Sequence, residues 1–164
     1  MVNADESWPE PVERVSAVLR AAAVDSRVEV FSEGASTARD AAKAIGCELD
    51  QIVKSLVLVC DGAYVLALVP GSARADVAAI GEAVGARDVR VATADEVVHA
   101  TGFEPGGVAP FPARAVTQTL MDRGLLGHAT VWIGAGTSSH MAALPPADLQ
   151  RLARARIVDL AARG

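Results

Sequence analysis

Apolar and polar positions along this chain repeat with two different periods, and the changes of period mark its elements. Across 9–23 the apolar residues Val12, Val15, Leu19 and Ala22 recur three and four apart, which predicts an amphipathic helix. Residues 27–31, RVEVF, alternate instead, so they predict a strand with Val28 and Val30 on one face. Glu33 and Gly34 make a turn. The helical period returns over 36–45 as a thin stripe of Ala38, Ala41, Ala42 and Ile45. Thr37 and Asp40 have capping-box spacing at its start, and Gly46 supplies a stop.

Periodicity then disappears. Residues 51–70, QIVKSLVLVCDGAYVLALVP, hold two unbroken apolar runs separated by Asp61 and Gly62. Short Val- and Leu-rich runs around an Asp-Gly pair predict a β-hairpin buried on both faces. Pro70, Gly71 and Ser72 close it and lead into a helix over 73–84, with Val77, Ile80 and Val84 as its buried stripe. A strand over 88–92 and a short helix from Thr93 toward His99 follow. Residues 115–120 and 130–133 predict strands joined through a turn around Arg123 and Gly124, and 141–144 another. Pro145 and Pro146 open a last helix with Leu149, Leu152 and Ala153 inward and Arg151 and Arg154 outward. Residues 157–160 predict a final strand. Many short strands with helices between them, and no regular βαβ alternation, point to an α/β chain of the α+β type. The expectation is one domain over 1–164, frayed over 1–8.

Two stretches break these patterns. The first is Lys54, with Ser55 after it, at the head of the buried hairpin. A strand-end lysine ordinarily snorkels to solvent. Composition makes this one unusual. The chain has 15 Lys+Arg, of which only Lys43 and Lys54 are lysines. Lysine offers a compact charge with three donors, where arginine offers a planar fork. The second stretch is 101–112, TGFEPGGVAPFP, with three glycines, three prolines and two phenylalanines. It cannot form a regular element, and it predicts either a rigid binding wall or a plain crossover. Gly134, Ala135, Gly136 and the small residues up to His140 predict either outward-pointing amides suited to an oxyanion or a wide turn. His140 alone carries little, and His99 and His128 read as surface residues.

The totals exclude several classes. Hydrophobic residues make up 51% and charged ones 21%, which argues against disorder. No apolar run reaches membrane-span length, and the polar start is no signal peptide. Cys47 and Cys60 read as free buried thiols of a reducing, cytoplasmic setting. The histidines and cysteines share no metal-ligand spacing, and neither a dinucleotide nor a P-loop motif is present. A net charge of -5 argues against coating DNA or RNA, while leaving contact with one end of a nucleic acid open.

These pieces in their order resemble the YbaK/EbsC (ProX-like) family of aminoacyl-tRNA deacylases, whose domain also occurs as the editing insertion of bacterial prolyl-tRNA synthetases. The marks are Thr37-Ala38, the IVKSLV strand with Lys54, and Pro70-Gly71. They continue with Thr101-Gly102-Phe103, the run from Gly106 to Phe111, Gly134-Ala135-Gly136, and the helix start at Pro146-Ala147-Asp148-Leu149. The resemblance implies a strongly curved mixed sheet forming an incomplete barrel, surrounded by helices. It implies hydrolysis of the ester between a wrong amino acid and the tRNA 3′ end, with no cofactor or metal, no membrane and no DNA. The partner would be the acceptor end of an aminoacyl-tRNA, with prolyl-tRNA synthetase or another synthetase beside it. Lys54 would hold the ester or the adjacent phosphate by its charge. Phe31, Thr37, Ser55, Gly102, Gly106, Gly107, Val108, Pro110, Gly134, Ala135, Gly136 and His140 would bind substrate. The loop 106–110 would wall the amino-acid pocket, and amides near 134–136 would complete the site. The alanine-specific branch often has Asn where Ser55 follows the lysine, so Cys-tRNA(Pro) and Ala-tRNA(Pro) both remain candidate substrates. The alternative from another class is a non-catalytic aminoacyl- or nucleotide-binding regulatory module. A generic small-molecule hydrolase is a third.

Overall fold

The computed structural model describes residues 8–31 and 37–162. Helix α1 (Glu10–Ala21) starts behind Pro9 and buries Val12, Val15 and Leu19 of the predicted stripe, while Ala22 caps its end and is half-buried. Strand β1 (Arg27–Val30) follows. Helix α2 (Ala38–Ile45) is capped by the Thr37 hydroxyl, which accepts from the Asp40 amide at 3.0 Å, and ends at Gly46 with φ 80°. The turn expected at Glu33 and Gly34 lies outside the described residues, as does most of the segment expected to fray.

The hairpin is the centre of the molecule. Strands β2 (Val53–Cys60) and β3 (Ala63–Pro70) pair antiparallel from Val53 opposite Pro70 to Cys60 opposite Ala63. Asp61 and Gly62 both have positive φ, 49° and 84°. That is the turn whose twist matches the strands it joins. Alternate residues feed two cores. Val53, Val57, Leu66 and Leu68 join Val15, Leu19, Phe103, Phe111 and Met121 in the larger one. Leu58, Cys60, Val65, Ala67 and Val69 pack with Ile80 and Leu160 in the second.

Around the hairpin lie β4 (Arg74–Ala75), α3 (Val77–Val84), β5 (Val89–Val91), α4 (Ala94–Thr101), β6 (Val116–Asp122), β7 (Val131–Gly134), β8 (His140–Leu144), α5 (Pro146–Ala153), β9 (Arg156–Val158) and β10 (Ala161–Ala162). A five-stranded sheet runs β5-β2-β3-β6-β9, with β3–β6 and β6–β9 parallel. A three-stranded sheet runs β1-β8-β7, and β10 pairs with β4. One isolated bridge, Ile52 to Trp132, links the first two sheets. The fold is therefore mixed α/β, as expected, and its sheets do not close into a barrel.

Some boundaries differ from the sequence reading. The helix expected from residue 73 begins at Val77, because Arg74 and Ala75 pair with Ala162 and Ala161 and the Asp76 carboxylate caps the helix at the Ala79 amide. Val77 is consequently exposed rather than part of the buried stripe. The strand expected over 157–160 spans Arg156–Val158, with β10 after it, and β6 runs on to Asp122. Cys60 is buried but Cys47 only half-buried, and His128 is half-buried rather than on the surface. No helix among the described residues is long and apolar enough to cross a membrane.

Candidate functional site

The edges of β2 define the site. One edge pairs with β3 along its whole length. The other meets β5 only from Leu58 to Cys60, with the Val57 carbonyl accepting from the Ala92 amide. At the opposite end β7 meets the chain just before β2 at the bridge from Ile52 to Trp132. Between these points residues 53–56 have no ladder partner on this edge among the described residues. A cavity of about 590 Å³ opens there, lined by Thr37, Arg39, Lys54, Ser55, Gly106, Val108 and Gly134 over an apolar bed that includes Ile52, Leu56, Val69 and Met141.

Lys54 stands in this opening, opposite Val69 across the hairpin. Its Nζ donates to the Ala73 carbonyl at 2.5 Å. One neutral acceptor leaves two of the ammonium donors and the whole charge available. Among the described residues no ion pair involves Lys54 or Arg39. The Ala73 carbonyl is itself held in place. The Asp50 carboxylate accepts from both the amide and the hydroxyl of Ser72. Gly71 lies so close to the 3₁₀ turn Leu49–Gln51 that a Cβ there would sit 2.3 Å from the Leu49 carbonyl oxygen. Ser55 Oγ is buried with no hydrogen-bond partner among the described residues. An unpaired buried hydroxyl is costly unless a ligand or water completes it.

The glycines of the two irregular stretches form one seam. Gly107 carbonyl accepts from the Gly136 amide at 3.0 Å. A Cβ on Gly107 would approach Thr137 Cα to 2.7 Å, and one on Gly134 would approach the Val108 carbonyl oxygen to 2.4 Å. A Cβ on Gly136, with φ 107°, would meet Pro11 at 2.6 Å. Backbone packs on backbone here, which fixes Gly106 and Val108 as a rigid wall of the cavity. It also corrects the expectation of outward-pointing amides. The Gly136 amide is bound to Gly107, and the Ala135 amide to the His140 carbonyl at 3.0 Å. Neither is left to stabilise an oxyanion.

The cavity thus gathers Lys54, Thr37, Ser55, Gly106, Val108 and Gly134 from the expected site residues. The others stand elsewhere among the described residues. Gly102 is the left-handed cap of α4, its carbonyl held by Arg14 Nη2 at 2.7 Å, and the Arg14 guanidinium covers the Phe103 ring at 4.6 Å. Pro110 faces a different cleft, beside Phe111 and Arg154. Gly107, Ala135 and Gly136 act behind the wall. Phe31 donates its amide to the Ser139 carbonyl at 2.7 Å and packs on a third core with Trp132 and Met141. His140 is buried, with Nδ1 2.5 Å from the Thr137 hydroxyl and the Trp8 ring edge-on at 5.6 Å. Burial pushes its pKa below the usual imidazole value. Arg39, a cavity residue, went unmarked in the sequence, where an arginine on the polar side of a helix reads as solvated. Its position two residues after Thr37 is the signal that could have placed it.

No Asp, Glu, His or Cys lines the cavity among the described residues, and none of their clusters there could hold a metal ion. The arrangement can bind an anionic or carbonyl-bearing group against Lys54, with apolar bulk alongside. Among the described residues it has no side chain placed as a general base.

Residues 32–152 match the family described as the aminoacyl-tRNA editing domain. A proline–tRNA ligase of Lactobacillus gasseri is 31% identical over 112 residues, covering 68% of this chain and 20% of the ligase. One of Xanthomonas oryzae pv. oryzae is 30% identical over 130 residues, covering 77% of this chain and 23% of the ligase. The chain therefore corresponds to about a fifth of the length of these relatives. Among solved structures, a candidate trans-editing enzyme for prolyl-tRNA synthetase superposes with TM-score 0.88 at 34% identity, over 96% of this chain and 100% of that one.

Proposed function

The chain belongs to the aminoacyl-tRNA editing domain family, and on that premise we propose that it is a trans-editing deacylase. It hydrolyses the aminoacyl ester at the 3′ end of a mischarged tRNA, of the Cys-tRNA(Pro) or Ala-tRNA(Pro) type. The observation that carries this reading is the cavity on the open edge of β2, with an ammonium that no carboxylate neutralises among the described residues. The amino-acid side chain lies against the apolar bed. The ester carbonyl lies toward Lys54, whose charge stabilises the oxyanion as the tetrahedral intermediate forms. A fixed charge at that point needs little reorganisation during the reaction, so it favours the transition state over the ground state.

The Gly106–Val108 wall orients the ester, and fixed orientation supplies a further part of the rate. Water activation falls to the substrate, whose vicinal ribose hydroxyl stands beside the ester, since the described lining residues offer no base. Lys54 then acts as an electrostatic group and not as a nucleophile. The setting of this reading is the cytoplasm, with the charged synthetase product reaching the pocket by its acceptor end.

The lack of a lining base also favours one second reading, a module that binds an aminoacyl-nucleoside without turnover. A panel of mischarged tRNAs separates the two. Ester loss from Ala-, Cys-, Ser- or Thr-tRNA that depends on Lys54 supports the deacylase. Tight binding of a non-hydrolysable aminoacyl-adenosine with no ester cleaved supports the module.

A further inference from the structure

The cavity holds two cations, and the ester needs only one. Arg39 lines it from the first turn of α2, exposed at the mouth, while Lys54 lies deeper and half-buried. Neither has a carboxylate partner among the described residues, and no acidic side chain there lines the cavity. Two like charges facing one concave space raise its potential together, and an anion relieves both. The whole chain carries a net charge of -5, so a polyanion is repelled at long range and has to be held locally.

We infer that Arg39 binds the phosphodiester on the 5′ side of the terminal nucleoside, and so positions the ester on Lys54. This inference rests on the deacylase reading. The α-ammonium of an aminoacyl group is itself a cation, so it is not what Arg39 receives. The terminal phosphate is the anion nearest the ester in such a substrate. A planar guanidinium with parallel N–H groups matches two phosphate oxygens, while the single ammonium of Lys54 suits one carbonyl oxygen. Thr37 and Ala38 line the cavity beside it.

The test measures binding of an amide-linked, non-hydrolysable aminoacyl-adenosine, with and without a 5′-phosphate, to the wild type, R39Q and R39K. The phosphate is expected to tighten wild-type binding by about tenfold, the scale of one charge-assisted contact near solvent. R39Q loses that gain and R39K keeps part of it. A gain of equal size in the wild type and R39Q overturns the inference, as does the absence of any gain in the wild type. An Arg39-dependent gain alongside no hydrolysis of any mischarged tRNA leaves this inference standing and overturns the deacylase reading. Hydrolysis with no Arg39-dependent gain does the reverse. If neither compound binds and no mischarged tRNA is hydrolysed, both fall.

Discussion

Replacing Gly134 by alanine tests whether the rigid wall is built by contact between backbones. The added methyl would lie 2.4 Å from the Val108 carbonyl oxygen and 3.2 Å from its carbon. Ordinary carbon–oxygen contact begins about 1 Å further out than the first of these distances, so the loop must move by about that much. Gly134 sits at the end of β7, where it is paired with Met141, so the strand side resists. Val108 and Gly106 have no strand around them and give way. Overpacking of this kind costs about 1–3 kcal/mol. In a chain of this length each kcal/mol lowers Tm by about 2–4 °C, so a fall of roughly 2–12 °C is expected by differential scanning calorimetry. Val108 also walls the cavity. A shift of 1 Å in a positioning group can cost about 100-fold in rate, so kcat/KM on the best mischarged tRNA falls by more than stability alone explains at a temperature where the variant is folded. Unchanged Tm together with unchanged kcat/KM would refute the reasoning.

Two further predictions concern the frame. Asp122 is buried and accepts from the amides of Leu160 at 2.8 Å, Ala161 at 3.1 Å and Gly124 at 2.9 Å. Asp122→Ala strands these donors and should cost about 3 kcal/mol, read as a lower urea midpoint. Asp122→Asn recovers part of it, and a loss below about 0.5 kcal/mol, the scale of a neutral surface change, would count against the account. The Arg90 guanidinium, then the Thr93 amide, pull the Glu96 carboxyl down to about 2 from the usual 4.5. Its contribution to stability is therefore complete above the ordinary carboxylate value and fades as pH falls toward 2. An NMR titration of Glu96 should show that low midpoint and its rise in Arg90→Gln, whereas a wild-type midpoint near 4.5 would be the contrary result.

What the residues disclosed in advance was what local pattern controls. The hairpin was legible because Asp61 and Gly62 interrupt two apolar runs, and α2 because Thr37 and Gly46 bracket its stripe. The start of α3 was not, since it depends on Arg74 and Ala75 pairing with a segment near the other end of the chain. The bridge from Ile52 to Trp132 has no local signature either, yet it joins the two larger sheets beside the cavity. Lys54 could be singled out because a charge in an apolar strand is anomalous. Gly107, Gly134 and Gly136 are visible as glycines, but their close contacts are not, because the neighbours are backbone distant in sequence. Gly102 and Pro110 belong to the same unusual stretch as Gly106 and Val108, and nothing in composition separates cap and cleft from wall.

The central claim is that the Lys54 ammonium stabilises the ester oxyanion in this cavity, and single-turnover hydrolysis of the mischarged-tRNA panel by the wild type, Lys54→Ala and Lys54→Arg tests it most directly. The account predicts that the wild type cleaves at least one ester and that Lys54→Ala, with Tm near that of the wild type, is slower by about 100-fold or more, the scale of losing one oxyanion donor. Lys54→Arg should not restore the rate, because a planar fork does not place its charge where the ammonium was. An ester cleaved as fast by folded Lys54→Ala as by the wild type, or a panel in which no ester is cleaved, would contradict it.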